Sequence, residues 1–158
     1  VLTPDGWRFL DLEGTAVHDA AADAAYALLP WANCWCVWAP PDGLTDAMLD
    51  AMSTALGTHL DLGPDWRAEV LRAAAVYVCA ATAWMWPGAE EDRRVGGEGL
   101  APRHRELLTA RWDWAATHLT EVTPALAEVC GGAAALARSR WGDVALAPYP
   151  AFGGAERS

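Results

Sequence analysis

Residues 64–86 have the apolar periodicity of a helix and predict the central helix of the fold. Pro64 suits the first turn of a helix, and Pro87-Gly88 marks a stop. No residue between 73 and 89 is charged, so we expect the second half of this helix to be surrounded by protein. Apolar side chains recur at steps of three and four along one face: Val70, Ala74, Tyr77, Ala81 and Trp84.

Four further segments have the periodicity of amphipathic helices: residues 15–29, 45–60, 102–119 and 124–140. Pro30 closes the first of them, and Pro102 and Pro124 suit first helical positions. We expect Gly131-Gly132 to interrupt the last helix. The pattern therefore predicts a mainly α-helical protein, a bundle of about five helices around the central buried one.

Two segments lack helical periodicity. Residues 31–38, WANCWCVW, are aromatic and β-branched and end at a Pro-Pro-Asp-Gly turn, so they predict a minor extended element. Residues 141–158 contain two prolines and three glycines, and we expect them to be extended or free until a partner binds. The sequence thus predicts one helical domain, residues 1–140, followed by an extended tail.

Charge narrows the range of partners. The 158 residues include 21 carboxylates and 11 arginines, which gives a formal net charge of -10. Such a chain lacks the basic surface with which proteins hold nucleic-acid phosphates, although an acidic wall suits a channel through which DNA slides. The longest uncharged run is shorter than the ~20 residues of a membrane span. We therefore expect a core helix and no membrane association, and the first residues do not resemble a secretory signal.

The cysteines supply the alternative hypothesis. Of the four cysteines, only Cys34 and Cys36 are close in sequence, and as thiolates on one strand face they could hold a soft metal ion. Four residues are candidates for completing such a site: Cys79, Cys130, His18 and His59. The second close pair of cysteines that structural zinc usually has is missing. A small helical bacterial protein that binds a metal or ligand through Cys34 and Cys36 is thus the second hypothesis.

Signatures of catalysis are scarce. The sequence has no glycine-rich phosphate loop, no His-Glu-x-x-His and no Gly-x-Ser-x-Gly. His18 beside Asp19, and His104 near Glu106, could orient an imidazole, but such neighbours usually form surface hydrogen bonds. We predict no catalytic residue and no cofactor.

Ten tryptophans are unusual in so short a chain. Tryptophan offers a large contact area at low entropic cost and is favoured at buried protein contacts. We expect Trp66, Trp84 and Trp112 to lie in the core. The candidate protein interface consists of aromatic residues outside the predicted helices: Trp31, Trp35, Trp38, Trp141, Tyr149 and Phe152.

The segment from Leu44 to Thr120, about half of the chain, resembles the small head-tail connector or adaptor proteins of tailed bacteriophages. The resemblance lies in the order of elements. A helix of the type LTDAMLDAMSTALGTHL is followed by a short link and a proline-started helix that contains Tyr77 and stops at WPG. A glycine-containing loop and the helix PRHRELLTARWDWAATHL complete the order. The Trp- and Cys-rich segment before Leu44 lies outside it.

The resemblance implies a structural virion protein whose helical domain forms a ring between portal and tail. Its partners would be further copies of the chain, the portal protein and tail-side connector proteins. DNA would pass through the channel without sequence-specific binding. The protein would be made in the bacterial cytoplasm and reside at the head-tail junction, with the apolar segment 31–38 and the tail making the protein contacts.

Overall fold

The computed structural model describes residues 2–7, 19–28, 37–96 and 101–149. Most of these residues form five α-helices: α1 (Ala20–Leu28), α2 (Leu44–Gly57), α3 (Trp66–Glu90), α4 (His104–His118) and α5 (Pro124–Trp141). Two short strands, β1 (Leu2–Thr3) and β2 (Gly6–Trp7), pair antiparallel. The predicted mainly α-helical bundle is therefore confirmed for the part of the chain that is described. The extended element predicted at residues 31–38 lies almost entirely outside it.

Each helix packs on a neighbour through small and branched apolar side chains. α1 packs against α2 and α3, and α4 packs against both α3 and α5, whereas the backbones of α3 and α5 do not pack closely on each other. Alanines such as Ala24, Ala74 and Ala115 are fully buried, which lets the helix axes approach closely. Leu107 and Leu108 of α4 fill the space between the helices. Because α4 separates α3 from α5, those two helices flank an open space above it.

The central helix differs from its prediction in two respects. The buried stripe is Val70, Ala74, Val78, Ala81 and Met85, which is rotated from the predicted one toward α1 and α4. The expectation that its second half is surrounded by protein is wrong, because the side chain of Val76 is 69% exposed and that of Trp84 64%. The absence of charge allows a helix face to be buried, but burial also requires another element packed against that face. The central buried helix is therefore not confirmed.

α3 also continues past its predicted stop. Pro87 lies inside the helix, which ends at Glu90. Proline lacks the N–H that would donate to the carbonyl group four residues earlier, at Ala83. Both Pro87 and Ala83 are exposed, so water can take the place of the missing donor. By length and composition, α3 is the one helix among the described residues that could cross a membrane. A third of its most apolar 18-residue segment is buried within the protein.

α5 is continuous through the two glycines that were expected to interrupt it. Its buried face, which includes Ala127, Cys130 and Ala134, packs on α4 on both sides of the glycines. A methyl group at Gly131 would lie 3.6 Å from the Cβ of Ala116, so this part of α5 is close to α4. Tertiary packing therefore outweighs the low helix propensity of glycine here.

Basic side chains at the start of α4 complete the end of α3. Arg105 donates from Nε to the carbonyl oxygen of Ala89 (2.7 Å) and from a terminal nitrogen to that of Glu90 (3.0 Å). Arg103 donates to both the carbonyl oxygen and the carboxylate of Asp92, at 2.7 and 2.9 Å. The last carbonyl groups of a helix have no partner within it, so these bonds fix how α3 turns into α4.

The His104 ring leaves no room for a side chain at position 88. The imidazole Nδ1 donates to the carbonyl oxygen of Arg93 (2.8 Å), and a Cβ atom at position 88 would lie 2.5 Å from the ring carbon Cδ2. Gly88→Ala is expected to lower the free energy of unfolding by about 1–3 kcal/mol, because the ring must move and its hydrogen bond is strained. Urea unfolding measures the change.

Gly132→Ala is the matched control for that substitution. Gly132 is also helical, but nothing lies within 4 Å of an added methyl group. This replacement is expected to raise stability by roughly 0.5–1 kcal/mol, since alanine loses less backbone entropy on folding. Equal effects at the two positions would show that the His104 ring adapts without cost.

Candidate functional site

An apolar groove runs between α3 and α5, with α4 as its floor. Its cavity volume is about 500 Å³. Three side chains of α3, two of α5 and one of α4 illustrate its lining: Cys79, Ala83, Trp86, Val129, Leu136 and Trp112. Val129 and Leu136 are 66% and 65% exposed, so the groove is open to solvent along α5. A concave apolar surface of this size is the usual form of a ligand or partner site.

Three tryptophans gather at one end of the groove. The ring centroid of Trp141 lies 6.1 Å from that of Trp86 and 6.5 Å from that of Trp112, and the latter pair is stacked. The indole nitrogen of Trp112 donates to the hydroxyl oxygen of Thr82 (3.0 Å), which in turn donates to the carbonyl oxygen of Val78 (2.7 Å). These bonds satisfy the polar atoms of the floor, so the ring surfaces present only apolar contacts.

Arginine provides the charge near this cluster. The Arg105 guanidinium lies 5.2 Å from the centre of the Trp141 ring, within range of a cation–π interaction. Arg140 lines the groove itself and is exposed. Arg138 pairs with the Asp113 carboxylate, whereas Arg140 has no hydrogen bond or ion pair to any residue that the structure describes. The groove thus combines a long apolar lining with one cation, Arg140, that has no described counter-charge.

Two cysteines also line the groove. Cys79 is exposed and Cys130 is buried, and both thiols are free. Burial raises the pKa of the Cys130 thiol above its ordinary value, and the nearby Cys79 thiol raises it further. Cys130 is therefore a protonated, apolar group of the lining at neutral pH.

A metal site is not formed by the candidates that the structure describes. Cys79 and Cys130 lie near each other in the groove, but no group of three or more potential ligands occurs within residues 2–7, 19–28, 37–96 and 101–149. Cys34, Cys36 and His18 lie outside these ranges. The metal hypothesis built on Cys34 and Cys36 therefore stays a prediction.

The predicted interface residues fall in different places. Trp141 belongs to the aromatic cluster of the groove. Trp38 and Tyr149, both partly buried, flank a parallel bridge in which the Ala39 N–H donates to the Ala147 carbonyl oxygen (2.7 Å) and the Tyr149 N–H donates to that of Ala39 (3.1 Å). The described part of the tail is thus extended as expected, but it is bonded to the chain before α2 and is not free. The remaining candidates lie outside the described residues: Trp31, Trp35 and Phe152.

The core tryptophans were predicted with mixed success. Trp112 is buried, and Trp66 is partly buried with its indole nitrogen donating to the Ser53 hydroxyl oxygen (2.9 Å). The prediction for Trp84 is wrong, since its side chain points away from α1 and α4 and is largely exposed. The sequence did contain a sign of this surface. α3 and α5 each contain a stretch without charge, residues 73–89 and 129–137, and both helices leave large apolar side chains in solvent.

Comparison of the chain with protein-family models, with curated proteins and with solved structures found no match. The features that bear on function are therefore the groove, the exposed apolar side chains and the distribution of charge.

Proposed function

We propose that this protein is a structural subunit that assembles with copies of itself, as the head-tail connectors of tailed phages do. The observation that carries the proposal is an apolar stripe on the outward side of α3, formed by Val76, Ala80 and Trp84, all of them exposed. These residues are four apart and so form one ridge along the helix. A continuous apolar ridge in solvent is characteristic of a protein contact.

The distribution of charge supports a connector. Asp46 is paired with Arg67 at 2.6 Å. Four further exposed carboxylates lie on α2, on the link to α3 and on the first turn of α3: Asp50, Asp61, Asp65 and Glu69. The α3 stripe lies beyond them in the uncharged half of the helix. A subunit with one acidic end and one apolar side can join its neighbours through the apolar side and direct the acidic end toward DNA. Repulsion of phosphate then keeps the passing DNA mobile.

The proposed partners follow from this arrangement. Copies of the chain would meet when the α3 stripe of one copy contacts a different face of the next. A repeated contact between unlike faces either closes into a ring or forms a filament, and we propose the closed ring. The portal protein and the tail-side connector proteins would contact the two rims of the ring. The protein would then be a component of the virion without a catalytic role.

Trp84→Glu tests the proposal. We expect the wild-type chain to form a ring-sized oligomer, alone or on addition of a candidate portal protein. The variant is expected to remain monomeric, because a carboxylate in the contact would be buried without a partner. Light scattering coupled to size exclusion measures the native mass, and circular dichroism checks that the variant is folded.

The control is Ala51→Glu, which adds the same charge at an exposed position of α2 outside the α3 stripe. This variant is expected to assemble like the wild type. A wild-type chain that stays monomeric with and without portal protein would refute the proposal, and so would equal loss of assembly in the two variants.

A further inference from the structure

We propose that the groove between α3 and α5 binds a free, single-chain carboxylate, with the hydrocarbon chain along the groove and the carboxylate on Arg140. The proposal is independent of the proposed function, because the α3 stripe used for assembly does not line the groove. Three properties of the groove carry it: its length, its lining and its charge.

The length of the groove suits an extended chain. Residues that line the groove on α5 extend from Leu126 to Trp141, which is about 22 Å along the helix. The volume of about 500 Å³ is spread along that length, so the space is an elongated groove. An elongated groove with a cation near one end matches an extended alkyl chain with a charged head.

The lining selects an apolar ligand. The groove residues are alanine, valine, leucine, tryptophan and thiol side chains, and the hydroxyl of Thr82 is already occupied as acceptor and donor. A ligand with polar groups along its length would leave them without hydrogen-bond partners in the groove. An alkyl chain loses no hydrogen bonds there and removes both its own surface and the exposed surfaces of Val129 and Leu136 from water.

The charge selects the head group. Arg140 is the charged residue of the lining and has no described partner, although the chain as a whole carries a net charge of -10. A guanidinium presents two parallel donors that match a carboxylate. Arg105, over the neighbouring Trp141 ring, lies 3.5 Å from the Asp92 carboxylate, so its charge is already paired and the head group is assigned to Arg140. An anionic head at Arg140 thus completes an otherwise uncompensated pair.

A free molecule fits this site better than a bilayer surface. Binding to anionic membranes uses clusters of several basic residues. Here Arg140 stands alone in the groove, Arg138 is paired with Asp113, and Glu128 and Asp143 are exposed on α5 and just after it. These two carboxylates would be repelled by an anionic membrane, whereas one small carboxylate bonded to Arg140 avoids them.

The test uses dodecanoate below its micelle concentration and the wild-type protein freed of lipid. Calorimetry is expected to show saturable binding of one dodecanoate per chain, with a change in tryptophan fluorescence from the cluster at Trp86, Trp112 and Trp141. Dodecyltrimethylammonium has the same chain and the opposite charge, so it is expected to bind about tenfold more weakly or worse. Arg140→Ala should remove most of this preference.

Two variants locate the site. Ala133→Trp fills the groove from α5 and is expected to abolish saturable binding, whereas Ala135→Trp adds the same ring at an exposed position outside the lining and should bind as the wild type does. If Ala133→Trp does not fold, Ala83→Trp blocks the groove from α3. Trp84→Glu should bind dodecanoate normally even where it prevents assembly, which separates this proposal from the proposed function.

Three outcomes would overturn the proposal. The first is equal affinity for the two amphiphiles, and the second is undiminished binding by the blocked variants. The third is sedimentation of the protein with anionic phospholipid vesicles in the absence of saturable dodecanoate binding, which would assign the apolar surface to a membrane.

Discussion

Arg111→Ala is expected to lower the free energy of unfolding by about 3–5 kcal/mol. Arg111 lies on α4 with 1% of its surface exposed, and a terminal nitrogen donates to the sulfur of Met85 on α3 at 2.8 Å. Burial lowers the pKa of its guanidinium to about 10, an effect that the nearby Tyr26 of α1 partly offsets. The Arg111 side chain therefore lies where α1, α3 and α4 meet, and its removal leaves a large cavity there.

Two substitutions separate packing from charge at this position. Arg111→Met keeps an unbranched apolar stem in place of the inner part of the arginine and removes the charge that burial disfavours, so it is expected to cost less than the change to alanine. Arg72→Ala, at an exposed position of α3, should change stability by no more than about 0.5 kcal/mol. Guanidinium unfolding gives all three values. The interpretation fails if Arg111→Ala is as mild as Arg72→Ala.

Trp112→Ala is expected to lower the free energy of unfolding by a similar amount, about 3–5 kcal/mol. The indole is 5% exposed, stacks on Trp141 and donates to Thr82, so truncation removes the floor of the groove together with a hydrogen bond. Thermal unfolding followed by circular dichroism measures the loss. The same variant should fail to bind dodecanoate even where it remains folded, since its groove has lost one wall.

The matched control for Trp112 is the same substitution at Trp84. That side chain is 64% exposed, so Trp84→Ala removes little buried area and is expected to cost less than about 1 kcal/mol. A large loss at Trp84 in the monomeric protein would mean that the α3 stripe is covered by another part of the chain.

The helices could be predicted because local signals agree with the fold. Pro124 opens α5 as expected, and the apolar period of residues 102–119 corresponds to α4. The errors arise where tertiary contacts decide. Gly131 remains helical because α5 packs on α4 there. α3 continues past Pro87 because the Ala83 carbonyl that loses its donor faces solvent, while Arg105 binds the carbonyl groups at the end of the helix.

The candidate site was less predictable than the helices. Its walls belong to two helices whose backbones do not pack on each other, so its width depends on how α4 holds them apart, which no local pattern encodes. Arg111 is a second example, since an arginine in an amphipathic helix is expected on the solvent side. Trp141 was singled out as an aromatic residue beyond the helices, whereas it ends α5 and closes the groove.

The bridge between Ala39 and the tail has a consequence for how molecules join. It closes a loop of about 110 residues that contains α2 to α5, and long loops are the most expensive in entropy to close. Its two described hydrogen bonds are main-chain bonds, which any extended segment can form. A tail that is released from Ala39 of its own chain can therefore pair with Ala39 of a neighbouring chain while the helices of both stay folded. Such strand exchange would link subunits in series through the backbone.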